Sequence, residues 1–209
     1  MLRHNKAIHI GFLLAIVFFA AGCAPSAPLT ISLTLKVPTV PLNIGASTKV
    51  YPSVVDQRPN KILGDRAKYM PIGIGPPRYV TQGPISVSED VGTVILKSLK
   101  DGLSSLGFET LTTPEPSVPK LEVAVRRLRH EVVDKSGLNH SNFSGVLTVK
   151  IYKDTTLLYA MRYDDSRERL YNHFRASDSS GFEENFNAVL SDLMGQLLAD
   201  VELIKALME

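Results

Sequence analysis

The sequence predicts an α+β domain, with a largely antiparallel sheet of about five strands and two helices packed on one face. Three observations carry that expectation. Several stretches alternate apolar and polar residues with the period of a half-buried strand, two longer stretches gather their apolar residues on one helical face between capping residues, and the last strands follow one another in series. The chain of 209 residues is 44% hydrophobic, enough to bury a core without disulfides, and it contains no internal repeat.

The first strand is "LTISLTLKV", where Ile31, Leu33, Leu35 and Val37 alternate with Thr30, Ser32, Thr34 and Lys36 until Pro38 and Pro41 stop the pattern. A second strand lies in "STKVYPSVVDQRP", with Pro52 marking an edge or a bulge. Residues 60–83 are rich in Gly and Pro and read as one long surface loop. Its "PIGIGPP" lacks the G-x-G-x-x-G spacing, and Pro76 and Pro77 remove amides that a phosphate loop needs. "SEDVGTVILKSLKDGLSSLGF" is the first helix: Ser88 serves as N-cap, Glu89 and Asp90 suit the positive end of the dipole, and Gly107 stops the last turn. Its apolar face is Val91, Val94, Ile95, Leu99, Leu103 and Leu106.

Three strands follow, "KLEVAVRRLRHEVV", "FSGVLTVKIYK" and "LLYAMRYDDSRER", the last two joined as a hairpin across "DTT". Alternation puts Leu147, Val149 and Ile151 on one face, and Leu157, Tyr159, Met161 and Tyr163 on one face of the next strand. The second helix has a capping-box spacing at Ser180 and Glu183 and an apolar stripe through Phe182, Phe186, Val189, Leu190, Leu193, Leu197 and Val201. Asp is poor inside a helix, so Asp200 caps a separate last turn or two.

Ahead of the domain, Arg3 and Lys6 precede the apolar run Ile10 to Gly22, followed by small residues at Cys23, which is the layout of a secretory leader. As a helix that run spans only about 20 Å, against about 30 Å of hydrocarbon, which argues against a membrane-spanning segment. Cys23 is the only cysteine in the chain. Ala20-Ala21-Gly22-Cys23 resembles a bacterial lipobox, with Ala20 standing where that motif most often has Leu. The resemblance implies a diacylglyceryl and acyl anchor on Cys23, residues 1–22 as signal peptide, 23–28 as lipidated cysteine and tether, and 29–209 as one domain. The competing reading is ordinary cleavage near Gly22-Cys23-Ala24, releasing a soluble protein. An odd thiol in an oxidising compartment is a liability that a lipid on sulfur removes, which favours the anchor.

The formal charge of +2 belongs to Arg3 and Lys6, so the mature chain is balanced and gives no sign of a nucleic-acid partner. His130, His140 and His173 have no metal-ligand spacing, no G-x-S-x-G is present, and Asp164 and Asp165 point to opposite faces of a strand. The expectation is therefore a non-enzyme without metal or cofactor. Two charge clusters stand out: Arg126, Arg127, Arg129 and His130 in "VRRLRH", and Arg58, Lys61, Arg66 and Lys68 in "DQRPNKILGDRAK". Either they form a solvated strand edge or Arg58, Arg126, Arg127 and Arg129 contact an anion or a partner. By alternation, Arg127 and Arg129 face one way and Arg126 the other, unless Leu128 marks a bulge.

With its lipobox, the "VVDQRPNKILGDR" stretch, the hairpin and "FNAVLSDLMGQLLADVELIKAL", the chain resembles the YajG-type family of bacterial lipoproteins. The resemblance implies a small α+β domain on a lipid anchor and transfers no functional residue beyond Cys23. Two functional readings follow. The preferred one is a periplasmic accessory or scaffold lipoprotein contacting an envelope protein complex, on the outer membrane because Ala24 rather than Asp follows the cysteine. The alternative is a lipid- or glycan-binding carrier whose arginines hold phosphate or carboxylate and which needs an apolar pocket beside them.

Overall fold

The computed structural model describes residues 28–37, 44, 48–70, 78–135, 138–170 and 179–209. Cys23 and the residues expected to form a leader and tether before Pro28 lie outside them, as does His173. Among the described residues eight strands form two sheets. β2 (Lys49–Asp56), β5 (Glu109–Thr110), β6 (Lys120–Lys135), β7 (Leu138–Lys153) and β8 (Thr156–Leu170) make the larger, in the order β5-β2-β6-β7-β8. β1 (Leu29–Ile31), β3 (Gly64–Met70) and β4 (Arg78–Val87) make the smaller, in the order β1-β4-β3. The helices are α1 (Val91–Ser105), α2 (Ser179–Leu198) and α3 (Val201–Met208).

The five-stranded sheet bears out the α+β expectation, its long ladders antiparallel, but it is mixed rather than purely antiparallel. β6, β7 and β8 form an antiparallel meander, but β2 lies parallel to both β6 and β5. The cause is the chain between β2 and β6: it contains α1, which crosses over the sheet and returns the chain in the same direction. Pro52 is tolerated because β5 covers β2 only at Lys49 and Val50, so its missing N–H falls where β2 is an edge.

The stretch 60–83 is not one loop. β3 and β4 pair antiparallel from Gly64↔Ile85 to Met70↔Arg78, with an irregularity between Arg66 and Ala67. Gly83, at φ 117°, sits opposite Arg66 at that irregularity, so a residue that reads as a breaker in sequence is a bulge position within a strand.

α1 starts two residues later than expected. Asp90, not Ser88, is the N-cap, its Oδ2 accepting from the Thr93 amide at 2.9 Å. The helix ends as predicted: Gly107 adopts φ 89°, its amide bonds to the Ser104 carbonyl, and the Phe108 amide bonds to the Leu103 carbonyl. Ser180 lies inside α2 rather than capping it. Asp200 does open a separate helix, α3, its Oδ1 accepting from the Glu202 and Leu203 amides.

The three helices of the described residues lie on one face of the larger sheet. Leu121, Val123, Val125, Leu147, Val149 and Ile151 meet Ile95, Leu99 and Leu103 of α1 and Phe186, Leu190 and Leu193 of α2, all fully buried. Gly145 lets α2 approach β7: a Cβ there would stand 2.7 Å from a Leu193 methyl. The hairpin face is only partly buried, since Tyr163 is enclosed but Leu157 and Met161 on edge strand β8 are each 50% exposed.

The first predicted strand divides in two. Only Leu29–Ile31 joins a sheet, parallel to β4. Residues 32–37 continue extended along α2, where the amides of Ser32, Thr34 and Lys36 donate to Glu183 Oε1 (2.9 Å), Asn187 Oδ1 (2.8 Å) and Ser191 Oγ (3.1 Å). Two extended residues advance about 6.6 Å and four helical residues about 6 Å, so every second amide meets every fourth side chain. Leu33 is buried and Leu35 and Val37 pack on the core, in the predicted alternation.

Candidate functional site

β2 pairs with β6 as far as Asp56↔Val125, where the Gln57 amide still reaches the Val125 carbonyl. The chain then leaves the sheet and returns at Leu63, whose carbonyl accepts from the His130 amide. Between these two attachments residues 58–62 arch away and open a cleft of about 430 Å³, lined by Arg58, Pro59, Asn60, Ile62, Gly64 and Asp65 on one side and by residues 126–129 on the other. Gly64 makes the return possible. Its φ is 140°, and a Cβ would stand only 2.3 Å from the His130 carbonyl oxygen.

The arch is built around Asp56. Its carboxylate accepts from Arg58 Nε at 2.9 Å, Arg58 Nη2 at 2.8 Å and the Arg58 amide at 3.1 Å, and pairs with Lys61 Nζ at 2.8 Å. Burial raises the Asp56 pKa, but the bonds from Arg58 and Lys61 outweigh it and hold the carboxyl well below the usual range. The planar fork fixes the guanidinium, whose side chain is 3% exposed. Its remaining nitrogen, Nη1, is buried and has no hydrogen-bond partner among the described residues.

All four arginines singled out in the sequence line this one cleft, although Arg58 is far from the others in the chain. Their orientation differs from the alternating expectation. The bulge falls at Arg126, since Val125 pairs with Leu147 and Arg127 with Val146. One inserted residue shifts the parity of the strand. Leu121, Val123 and Val125 face the core before it, Leu128 and His130 after it, so Arg126, Arg127 and Arg129 are all exposed on the outer face. Arg129 is engaged by Glu131 at 3.0 Å, whereas Arg126 and Arg127 have no ion pair among the described residues. These two also line an adjoining hollow of about 330 Å³ with Val146, Thr148 and Arg162.

His130, grouped with the arginines by sequence, belongs to the core. It is 2% exposed, its Nε2 lies 3.0 Å from Ser141 Oγ, and its ring packs against Phe143 and Phe182. Burial pushes its pKa down to about 4, opposed in part by the main chain of Asp65. Below the unfolded pKa of about 6.5 the unfolded ring takes up a proton that the folded ring refuses. Stability should therefore fall by about 3 kcal/mol as the pH drops from about 6.5 to about 4. Denaturant titrations across that window will show it, and His130→Phe should flatten the slope.

Asp165 behaves as its strand parity requires. It faces α2, where burial and then the nearby Asp192 raise its pKa, while Asp164 is exposed. Among the described residues no group of three or more His, Cys, Asp or Glu could hold a metal ion, and no helix is long and apolar enough to cross a membrane.

Solved structures similar to this chain include protein XCC0632 from Xanthomonas campestris, of the DUF330 family, at 14% identity and TM-score 0.46, covering 81% of this chain and 94% of that one. A minor lipoprotein from Acinetobacter baumannii matches at 12% identity and TM-score 0.48, covering 74% and 90%. The lipoprotein GNA1162 from Neisseria meningitidis matches at 9% identity and TM-score 0.32, covering 68% and 98%. No curated protein matches the chain. The family described as uncharacterized lipoprotein, Lipoprotein_16, matches residues 42–208, which takes in both sheets except β1, the arch, the bulge and all three helices. On that match the chain belongs to a bacterial family of lipoproteins.

Proposed function

We propose that this protein is a non-enzymatic accessory lipoprotein of the YajG type, held by a lipid on Cys23 at the periplasmic face of the outer membrane, and that it contacts a protein complex of the envelope. One observation carries the contact. The outer face of the large sheet and the arch beside it combine arginines with the exposed apolar residues Val55 (45% exposed), on β2, and Ile62 (41% exposed), on the arch. Arginine beside apolar side chains is the composition of protein contact surfaces. Family membership supports the anchor. The carrier alternative is favoured by the unpaired Arg58 Nη1, but it needs an apolar chamber beside the arginines. The cleft walls are instead polar, with Asn60 and Asp65 among the arginines.

A photo-crosslinking residue at Val55 or Ile62 of the full chain, in cells, tests the proposal. The expected result is a discrete crosslink to one envelope protein, lost in Cys23→Ser because the unlipidated chain leaves the membrane. A Cys23→Ser chain that stays membrane-bound and crosslinks as before would overturn the anchor, and absence of any protein crosslink would overturn the contact.

A further inference from the structure

We infer that the cleft under the arch receives an extended acidic segment of a protein partner, one carboxylate entering between Arg126 and Arg127 toward Arg58. The inference rests on the proposed contact and names its chemistry. Three independent features of the cleft converge on it.

The first is the pattern of ion pairing. On this surface Arg129 is paired with Glu131 at 3.0 Å and Arg162 lies 3.8 Å from Asp164, while Arg126 and Arg127, the two shared by both hollows, have no carboxylate among the described residues. The bulge at Arg126 is what sets them side by side. An unbulged strand would have sent one of them into the core face. The second is Arg58. Two of its nitrogens are spent on Asp56, which fixes the plane of the guanidinium, and the third is buried without a partner at the cleft wall. A fixed guanidinium with one nitrogen unused is half of a carboxylate site.

The third feature favours a peptide over a lipid headgroup. The His130 amide points toward the β2 side of β6, where it finds Leu63. Antiparallel alternation aims the amide of Leu128, two residues earlier, at the same side, which at that position is the cleft. Main-chain groups at a gap in a sheet are matched by another extended main chain, as in strand addition. Ile62 and Val55 beside the gap suit apolar side chains of the same segment.

The test uses the lipidated full-length protein in detergent and fluorescence anisotropy with a labelled hexaglutamate peptide, a hexaglutamine peptide and short-chain phosphatidylglycerol as probes. Hexaglutamate should bind and hexaglutamine should not, with affinity falling as salt rises. Arg126→Gln and Arg127→Gln should each weaken hexaglutamate about tenfold, the effect of one charge-assisted bond, with unchanged thermal melting, and distant Lys205→Gln should have no effect. Equal binding of both peptides, or affinity unchanged by both arginine substitutions, would overturn the inference. Arginine-dependent binding of phosphatidylglycerol without hexaglutamate binding would overturn it in favour of a headgroup. The two readings fail separately. A crosslinked envelope protein that persists in the double arginine variant sinks the cleft and leaves the partner, whereas hexaglutamate binding without any crosslink in cells sinks the partner and leaves the cleft.

Discussion

Gly64→Ala should destabilise the domain by about 3 kcal/mol or more, lowering its melting temperature by about 10 °C, as read by circular dichroism. Two costs add. The backbone at φ 140° is one that L side chains rarely adopt, and the new Cβ would stand 2.3 Å from the His130 carbonyl oxygen, a main-chain atom that cannot swing aside. Relief requires the arch to detach from β6, breaking the His130 amide bond to Leu63 and opening the cleft. Gly181 supplies the contrast. A Cβ there meets nothing within 4 Å, and in the helix α2 Gly181→Ala should be neutral or stabilising by up to about 1 kcal/mol.

The second large effect is expected at Asp200. Its Oδ1 caps α3, and its Oδ2 lies 2.7 Å from the hydroxyls of both Tyr159 and Tyr163, which are 2.8 Å from each other. Two hydroxyl protons serve three contacts, so the network is shared rather than a sum of three bonds. Asp200→Ala removes a cap, worth about 1 kcal/mol, and leaves the buried Tyr163 hydroxyl short of its acceptor, worth about 1–3 kcal/mol, so about 3 kcal/mol in all. Asp200→Asn keeps the capping oxygen and should lose less. Burial raises the Asp200 pKa, but the hydroxyls and the helix amides outweigh it and lower the net value. Its contribution is thus present above the unfolded carboxyl pKa of about 4 and lost as the pH falls through the folded one. Burial, then Asp200, raises Tyr159 to about 12, and Tyr163 rises further, so a second loss sets in at alkaline pH above about 10.

What could be read from the sequence was what depends on local periodicity. The apolar face of α1, the stop at Gly107, the hairpin at Asp154 and the Asp200 cap are each fixed by residues within a turn or two of one another, and each is found. What failed depends on distant pairing. β3 and β4 are hidden because Gly83 and Pro84 look like breakers until the opposite strand shows a bulge. The parallel entry of β2 is set by the crossover through α1, which no property of "KVYPSVVD" records. The arginine cleft was half legible. Charge density marked both clusters, but their convergence is a tertiary fact, and the bulge, open as an exception at Leu128, falls at Arg126 instead, where it left a trace. The apolar positions Val125 and Leu128 are three apart in a strand, a spacing that period-2 alternation cannot produce without an inserted residue. The same shift would have sent His130 to the core.

The strap along α2 has a mechanical consequence. Tension entering at Pro28 along the strand axis meets the β1–β4 pairing and the three amide bonds to α2 side by side, so they are strained in shear and must rupture together rather than peel singly. The resistance of such a joint is a matter of rate, not of equilibrium stability. The force also has a path onward. Leu29 pairs with Ile85, the Ile85 carbonyl holds the Leu63 amide, and the Leu63 carbonyl holds the His130 amide. A pull on the N-terminus is therefore delivered, through main-chain bonds in series, to the hinge of the arch and the wall of the cleft.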